Sequence, residues 1–321
     1  MTKKILITGT SVRSELLNPL VEAGYTVENP THLLTEGELK DILKNASAYL
    51  LGGDELATRN VISAAKELKI IAFLGMGYQS FIDAAAAKEF GIAVTNTPGT
   101  LSNSVAEFTV GLLLSSTRRL FLYASEYAAG RTGGEEKQRD LPSLHVGIIG
   151  LGGIGTRIAE ILRNGFGSKV SYYSRTRKPH EEQRLDVSYL PFEQLNKQVD
   201  VLVVMTPLSE ETKGLIGQTQ ISSFKKGMIL INTARAEIVD PAALLAGLET
   251  GQIGYAAFDG LYEKPNESME KLKALIPAKL MVTGHIASLT HEARDGMAKK
   301  AVRSILNILK TGRDEYIVNG L

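Results

Sequence analysis

Short apolar runs alternate along this chain with segments whose apolar positions repeat at the spacing of a helix. In its early part, Ile5–Thr8, Thr26–Glu28, Ala48–Leu51, Ile70–Leu74 and Ala93–Thr95 read as strands. Between them, Ser14–Ala23, Thr35–Lys44, Thr58–Lys66 and Ile82–Phe90 read as helices, and Thr35 with Glu38 has the spacing of a capping box. Such alternation predicts a parallel sheet covered by helices on both faces. After a break at Thr97-Pro98-Gly99, the pattern predicts one unusually long helix from Leu101 to Tyr127, long enough to bridge two domains. Ser102 and Asn103 are its cap candidates, and Glu107 lies early in it. The polar stretch GRTGGEEKQRD, Gly130–Asp140, predicts an exposed loop.

A second series follows. Val146–Ile149, Val170–Tyr173, Val199–Met205, Met228–Asn232, Tyr255–Phe258 and Leu280–Thr283 read as strands, with helical stretches that include Thr156–Asn164, Thr219–Ser223 and Pro241–Thr250. A final helix, Thr290–Lys310, is expected to return to the first series.

Composition narrows the function classes. The 321 residues suffice for two domains with separate cores. A 44% apolar content and a mean hydropathy near zero fit a soluble globular protein. The net charge of +1 provides no basic field, which argues against a nucleic-acid partner. With no cysteine, disulfides, thiolate catalysis and Cys-ligated metal centres are excluded. No metal-ligating cluster stands out, so no metal is expected. No apolar stretch has the length of a membrane span, and MTKKILITGT leads straight into a strand without the features of a signal peptide. The expectation is a cytoplasmic protein with no membrane partner.

Candidate chemistry begins after the strand Val146–Ile149, where Gly150, Gly152 and Gly155 have the spacing G-x-G-x-x-G. A helix with Ile158, Ala159, Ile161 and Leu162 on one face follows, then a second strand. A β-α-β unit with glycines at its first turn is the arrangement that binds a dinucleotide. Gly150 allows the tight turn, Gly152 lets the backbone approach the pyrophosphate, and Gly155 lets helix and strand pack closely. The first turn, with Gly153 and Ile154, offers free N–H groups and a partial positive charge to phosphates.

The end of the second strand bears on which dinucleotide. NAD sites usually carry an acidic residue there for the ribose hydroxyls. This chain has Ser174, Arg175, Thr176, Arg177 and Lys178. Guanidinium groups bind a 2′-phosphate by charge-assisted contacts, and the Ser174 and Thr176 hydroxyls can donate to it. The alternative is a solvated basic turn. NADP(H) is therefore preferred, with NAD(H) possible.

In an open parallel sheet, ligands bind beyond the carboxyl ends of the strands. Those ends carry Thr233-Ala234-Arg235-Ala236, Asp259, and Gly284-His285-Ile286-Ala287-Ser288 in the second series, and Gly75-Met76-Gly77 in the first. By residue type alone, a surface ion pair for Arg235 and a structural role for His285 are the commoner outcomes; the strand-end positions favour function.

Taken in order, GIIGLGGIG, TPLSEETKGLI (Thr206–Ile216), NTARAEIVD (Asn232–Asp240), AAFD (Ala256–Asp259) and GHIAS resemble the successive signatures of the D-isomer-specific 2-hydroxyacid dehydrogenase family. NTPGTLSNSVAE (Asn96–Glu107) resembles the segment linking that family's two domains. The resemblance is to its glyoxylate/hydroxypyruvate reductase-like, NADP-preferring members. It implies two doubly wound parallel-sheet α/β domains: a Rossmann dinucleotide-binding domain at 100–288, and a discontinuous flavodoxin-like substrate domain at 1–99 and 289–321. It also implies a homodimer built mainly through the cofactor domain, and reversible hydride transfer between nicotinamide and a small-molecule 2-oxo or 2-hydroxy acid.

Residue roles follow from the same resemblance. Arg235 would pair with the substrate carboxylate and polarise the 2-oxo group. His285 would donate the proton as hydride arrives at carbon. Gly53 and the backbone of Met76 and Gly77 would complete the substrate site. Thr206, Pro207, Thr212, Thr233, Ala234, Asp259, His285 and Ala287 would line the cofactor.

One departure matters. The family has a Glu immediately before the proline that follows the AAFD strand, and its carboxylate raises the pKa of the histidine. DGLYEKPN places Lys264 there, and an ammonium would lower that pKa instead. Three alternatives stay open: Glu263 supplies the carboxylate after a one-residue shift; Lys264 itself binds an anionic substrate or moves a proton; or reductase activity is weak or lost, leaving an NADP(H)-binding regulatory protein. Gly284 and Ala287 are milder departures, from proline and glycine. Asp54, Glu55, Met76, Tyr78, Tyr262, Lys264 and His291, on the loops expected to face substrate, fix neither its size nor its polarity.

Overall fold

A computed structural model describes residues 3–9, 12–131, 138–262 and 267–321, and the chain divides into two compact units. Unit 1 comprises Met1–Leu101 with Leu289–Leu321, and unit 2 comprises Ser102–Ser288.

In unit 1, β1 (Lys4–Ile7), β2 (Thr26–Glu28), β3 (Ala46–Leu51), β4 (Ile70–Phe73) and β5 (Ala93–Thr95) form a parallel sheet in the order β2-β1-β3-β4-β5. This is the flavodoxin-like order. Period-two side-chain alternation splits each strand between two cores. Tyr49 and Leu51 of β3 join Leu39, Leu43, Val61 and Ala86 of the covering helices on one face. Ala48 and Leu50 join Leu20, Ala301, Val302 and Ile305 on the other. Ala301, Val302 and Ile305 come from the helix His291–Thr311, so late residues of the chain complete the core begun by early ones. Thr290 caps that helix through the Ala293 N–H, and Gly312 ends it in the left-handed region at φ 71°. The expected Thr35–Glu38 capping box is present. The expected helix at Ser14–Ala23 is instead a 3₁₀ turn, Ser14–Leu17, followed by a short α-helix, Asn18–Glu22, with Pro19 in its first turn.

In unit 2, β6 (His145–Ile149), β7 (Lys169–Tyr173), β8 (Ser188–Tyr189), β9 (Val201–Val204), β10 (Met228–Asn232), β11 (Ile253–Asp259) and β12 (Leu280–Thr283) form a parallel sheet. Its order, β12-β11-β10-β9-β6-β7-β8, is the Rossmann order with a seventh strand, and the order reverses between β6 and β9. The helix Gly153–Phe166 buries Ile158, Ala159 and Leu162 against β6 and β7.

The single helix expected over Leu101–Tyr127 is corrected to two, Ser102–Thr117 and Leu120–Ala128. Arg119 breaks it by turning left-handed at φ 50°, with its guanidinium 4.6 Å from the centroid of the Tyr255 ring. Just before the break, the Ser116 and Thr117 hydroxyls donate to the Leu112 and Leu114 carbonyls, contacts that bend helices. The apolar pattern resumes at Leu120, so the polar run at residues 115–119 is only a weak local mark of the break. Among the described residues no helix is long and apolar enough to cross a membrane.

Candidate active site

The carboxyl ends of β6, β9, β10 and β11 are neighbours in the unit 2 sheet and bring the sequence-selected residues to one edge. The glycine turn after β6 is tightly packed at two of its glycines and open at the third. Gly150 has φ 101°, and a Cβ there would lie 2.5 Å from the Met205 carbonyl oxygen. A Cβ on Gly155 would fall inside the Gly150 carbonyl oxygen. By contrast, a Cβ on Gly152 would meet nothing within 4 Å. Gly152 is the N-cap of the Gly153–Phe166 helix and gives it no side-chain cap, so the first-turn N–H groups face the open space beside it.

Beyond β7 the basic turn is more ordered than its composition suggests. The Arg177 guanidinium donates twice to the Glu182 carboxylate, at 2.8 and 2.7 Å, and lies over the Tyr189 ring. Tyr172 donates to Glu182 at 2.8 Å and accepts from the Lys178 N–H at 2.6 Å. Arg177 holds the Glu182 carboxyl below its usual range, and burial pushes the Tyr172 hydroxyl up to about 12. The Ser174 hydroxyl donates to the Thr176 carbonyl. Arg175 extends outward, its side chain 84% exposed, and pairs loosely with Glu211 at 3.4 Å. Of the two arginines singled out in the sequence, Arg177 is thus committed to its own turn, and Arg175 faces solvent.

After β9, Thr206 and Pro207 sit beside the Gly150 turn, with the Thr206 nitrogen 3.0 Å from the Cβ position of Gly150. Thr212 donates to the Pro207 carbonyl at 2.7 Å and accepts from the Ser209 N–H, so its hydroxyl ties its own loop. After β10, the buried Asn232 braces the next turn from both sides. Its Oδ1 accepts from the Ala234 N–H at 3.0 Å, and its Nδ2 donates to the Arg235 carbonyl at 2.9 Å. The Thr233 and Thr109 hydroxyls meet at 2.7 Å. Arg235 is half-buried and donates through Nη1 to the Ala234 carbonyl. The sequence reading passed over Asn232; an Asn at a strand end ahead of a turn was the available signal.

After β11, the buried Asp259 carboxylate organises the histidine loop. Oδ1 accepts from the Thr283 hydroxyl at 2.7 Å and the Ile286 N–H at 2.8 Å, and Oδ2 accepts from the Ala287 N–H at 2.8 Å. His285, directly before those two amides, has φ 58°, a conformation that non-glycine residues rarely adopt. Gly260, at φ 96°, opens space against it: a Cβ there would lie 3.7 Å from that of His285. Asp259 therefore has a structural task in addition to the cofactor contact expected of it. Glu263 and Lys264 lie outside the described residues.

In unit 1, Gly75 follows β4 at φ 145°, and its N–H donates to the Thr97 hydroxyl at 3.0 Å. This fixes the turn that carries the exposed Met76 and Gly77. Gly53 lies over the carboxylate of Glu55, which leaves no room for a Cβ. Glu55 is buried, and its Oε1 accepts from the Leu34 N–H at 3.3 Å, tying the loop after β2 to the loop after β3.

Residues 110–287 match the family described as D-isomer specific 2-hydroxyacid dehydrogenase, NAD binding domain. The chain is 35% identical over 293 residues to a glyoxylate reductase of Thermococcus litoralis, covering 88% of this chain and 86% of that one. Its structure resembles that of a glyoxylate reductase from Paecilomyes thermophila, with TM-score 0.87, 26% identity and coverage of 99% and 98%. It also resembles a D-lactate dehydrogenase from Aquifex aeolicus solved with NAD and lactic acid, with TM-score 0.82, 26% identity and coverage of 95% of both chains.

Proposed function

The chain belongs to the D-isomer specific 2-hydroxyacid dehydrogenase family, and we propose that it uses NADPH to reduce a small 2-oxo acid of the glyoxylate or hydroxypyruvate kind. At the coarser level it is an NAD(P)-dependent oxidoreductase that reduces a 2-oxo acid to a hydroxy acid.

Bound nicotinamide supplies the hydride, and the protein supplies orientation and the proton. The helix N-terminus at Gly152 receives the pyrophosphate in the open space a side chain would fill. Arg235 binds the substrate carboxylate and polarises the 2-oxo group with its planar fork of donors. His285, whose ordinary pKa lies near neutral, delivers the proton to the oxo oxygen. In unit 1, Gly53 and the Met76–Gly77 turn supply substrate-facing backbone.

What carries this reading is the grip of Asp259 on the histidine loop. A non-glycine residue held left-handed by a buried carboxylate is strain of the kind found at functional sites, where surrounding contacts over-determine it. Replacing Arg235 with Ala tests the assignment: turnover collapses while NADPH affinity stays close to that of the wild type.

NADP(H) is favoured over NAD(H) because Ser174, not an acidic residue, follows β7 and Arg175 extends outward beside it. A homodimer is supported by the helix Leu120–Ala128, which buries none of its residues and exposes Leu120, Phe121 and Tyr127. One feature of the sequence favours a second reading: Lys264 stands where the family has a glutamate, which fits a weakly active regulatory protein or a reductase of altered chemistry.

A further inference from the structure

Unit 2 carries a second candidate ligand site at the opposite edge of its sheet. A cavity of about 170 Å³ lies where β6, β9, β10 and β11 begin, at Leu144, Asp200, Met228 and Gly254. The five-residue β6 separates this edge from the Gly150 turn by roughly 15 Å. The cavity therefore does not belong to the dinucleotide site.

Its charge is unlike that of the whole molecule. Lysine and arginine balance aspartate and glutamate almost evenly over the chain, 36 against 35. Among the described residues lining this cavity, Arg119, Arg139, Lys225 and Lys226 stand against one carboxylate, Asp200, together with Gln138. Asp200 is already committed: it accepts from the His145 N–H at 2.9 Å and pairs with Lys225 at 3.2 Å and Arg139 at 3.6 Å. Lys226 has no acidic partner among the described residues. A net excess of cations in a concave site focuses the local field on anions.

The site is also shaped rather than merely charged. Arg119 is held in place over the Tyr255 ring by its left-handed backbone. Gly227, at φ 80°, and Gly254 meet at the wall, where a Cβ on Gly254 would lie 2.8 Å from the Gly227 carbonyl oxygen. Two side chains are thereby missing from a concave surface rimmed by guanidinium and ammonium groups. The neighbouring His145 ring registers the same positive field, since burial and then Lys169 and Lys225 lower its pKa.

We propose that this cavity is a binding site for phosphate or a phosphate monoester, separate from the cofactor site. Arginine forks and lysine point charges around a small concave volume suit a compact dianion. A nucleic-acid backbone would require an extended basic stripe, which the balanced surface charge does not supply.

The test is calorimetric titration of the full chain with inorganic phosphate, and separately with glycerol phosphate, at constant ionic strength, with and without saturating NADPH. Saturable binding of at least one of them, unaffected by NADPH, is expected for the wild type and for Arg175→Ala. In Arg139→Ala/Lys226→Ala the affinity should fall by about tenfold or more, since charge-assisted contacts are removed. Lys226→Ala alone, at an exposed position, should weaken binding in the same direction and serves if the double variant does not fold. The proposal is overturned if neither anion binds saturably, if the Lys226 variants bind like the wild type, or if NADPH or Arg175→Ala abolishes binding.

Discussion

The Asp259 carboxylate accepts the N–H of Ala287 at 2.8 Å, and with its other oxygen that of Ile286, so the loop bearing His285 is wrapped around a buried negative charge. The proposed acid is thus positioned by main-chain contacts. In Asp259→Asn, one acceptor oxygen becomes a donor that must face a main-chain N–H or the Thr283 hydroxyl. The expected cost is roughly 2–3 kcal/mol of stability for a charge-assisted bond lost in a buried site. Thermal melts should show this loss, and steady-state rates should show kcat falling more than NADPH affinity. An unchanged kcat would separate the carboxylate from the function of His285.

The glycine turn allows stability and binding to be separated. Gly155→Ala places a methyl group inside the Gly150 carbonyl and should lower the melting temperature markedly. Gly152→Ala meets no atom within 4 Å and should melt near the wild type, yet its methyl group enters the space proposed for the pyrophosphate. Its cofactor affinity should fall by about tenfold or more, read by fluorescence titration. Equal cofactor affinity in Gly152→Ala and the wild type would contradict the proposed cradle.

Cofactor choice should depend on the two arginines differently. Arg175→Ala should weaken NADPH while leaving NADH nearly unchanged, because Arg175 is the outward-facing cation. Arg177→Ala releases Glu182 and the Tyr172 contact, disturbing the whole turn, and should weaken both cofactors. Dissociation constants for both nucleotides with both variants decide the matter; parallel losses in Arg175→Ala would remove the 2′-phosphate argument.

Much of this arrangement was legible in the sequence, for physical reasons. The central strands of both sheets are short apolar runs because they are buried on two faces, and Gly150 and Gly155 announce a close-packed turn in which a Cβ would clash. The break at Arg119 was hard to read, since the apolar residues resume at Leu120 and the contact of Arg119 with Tyr255 lies far away in the chain. Nor were the short polar helices Pro179–Leu185 and Phe192–Gln198, whose few buried positions give little periodic signal. The commitment of Arg177 escaped for a similar reason: composition shows a basic turn but not that Glu182 and Tyr172 fold back onto it.

Acid should destabilise the protein partly through His145. The ring is buried with Nε2 2.8 Å from the Ser171 hydroxyl, and burial, Lys169 and Lys225 lower its pKa below the ordinary 6.5. The folded state then binds fewer protons than the unfolded state. Stability from this group is complete above about pH 6.5 and is lost as pH falls through that value toward the lower folded pKa. His145→Gln keeps a polar group for Ser171 and should flatten the fall in melting temperature between about pH 7 and pH 5. An identical pH dependence in variant and wild type would refute the assignment.

The exposed helix Leu120–Ala128 predicts self-association. Sedimentation should give a dimer for the wild type and a shift toward monomer for Phe121→Glu, which puts a charge on the apolar face. A monomeric wild type would leave that face without its proposed occupant.

Reduction of a 2-oxo acid with Arg235 and His285 at the reacting centre can be followed through the absorbance of NADPH as it is oxidised. Wild type, Arg235→Ala and Lys264→Glu would be run against glyoxylate, hydroxypyruvate, pyruvate and larger 2-oxo acids, with NADH alongside. The wild type should turn over a small 2-oxo acid, faster with NADPH than NADH, and Arg235→Ala should lose about a hundredfold or more in kcat/KM. A silent wild type beside an active Lys264→Glu, or undiminished turnover in Arg235→Ala, would contradict that assignment.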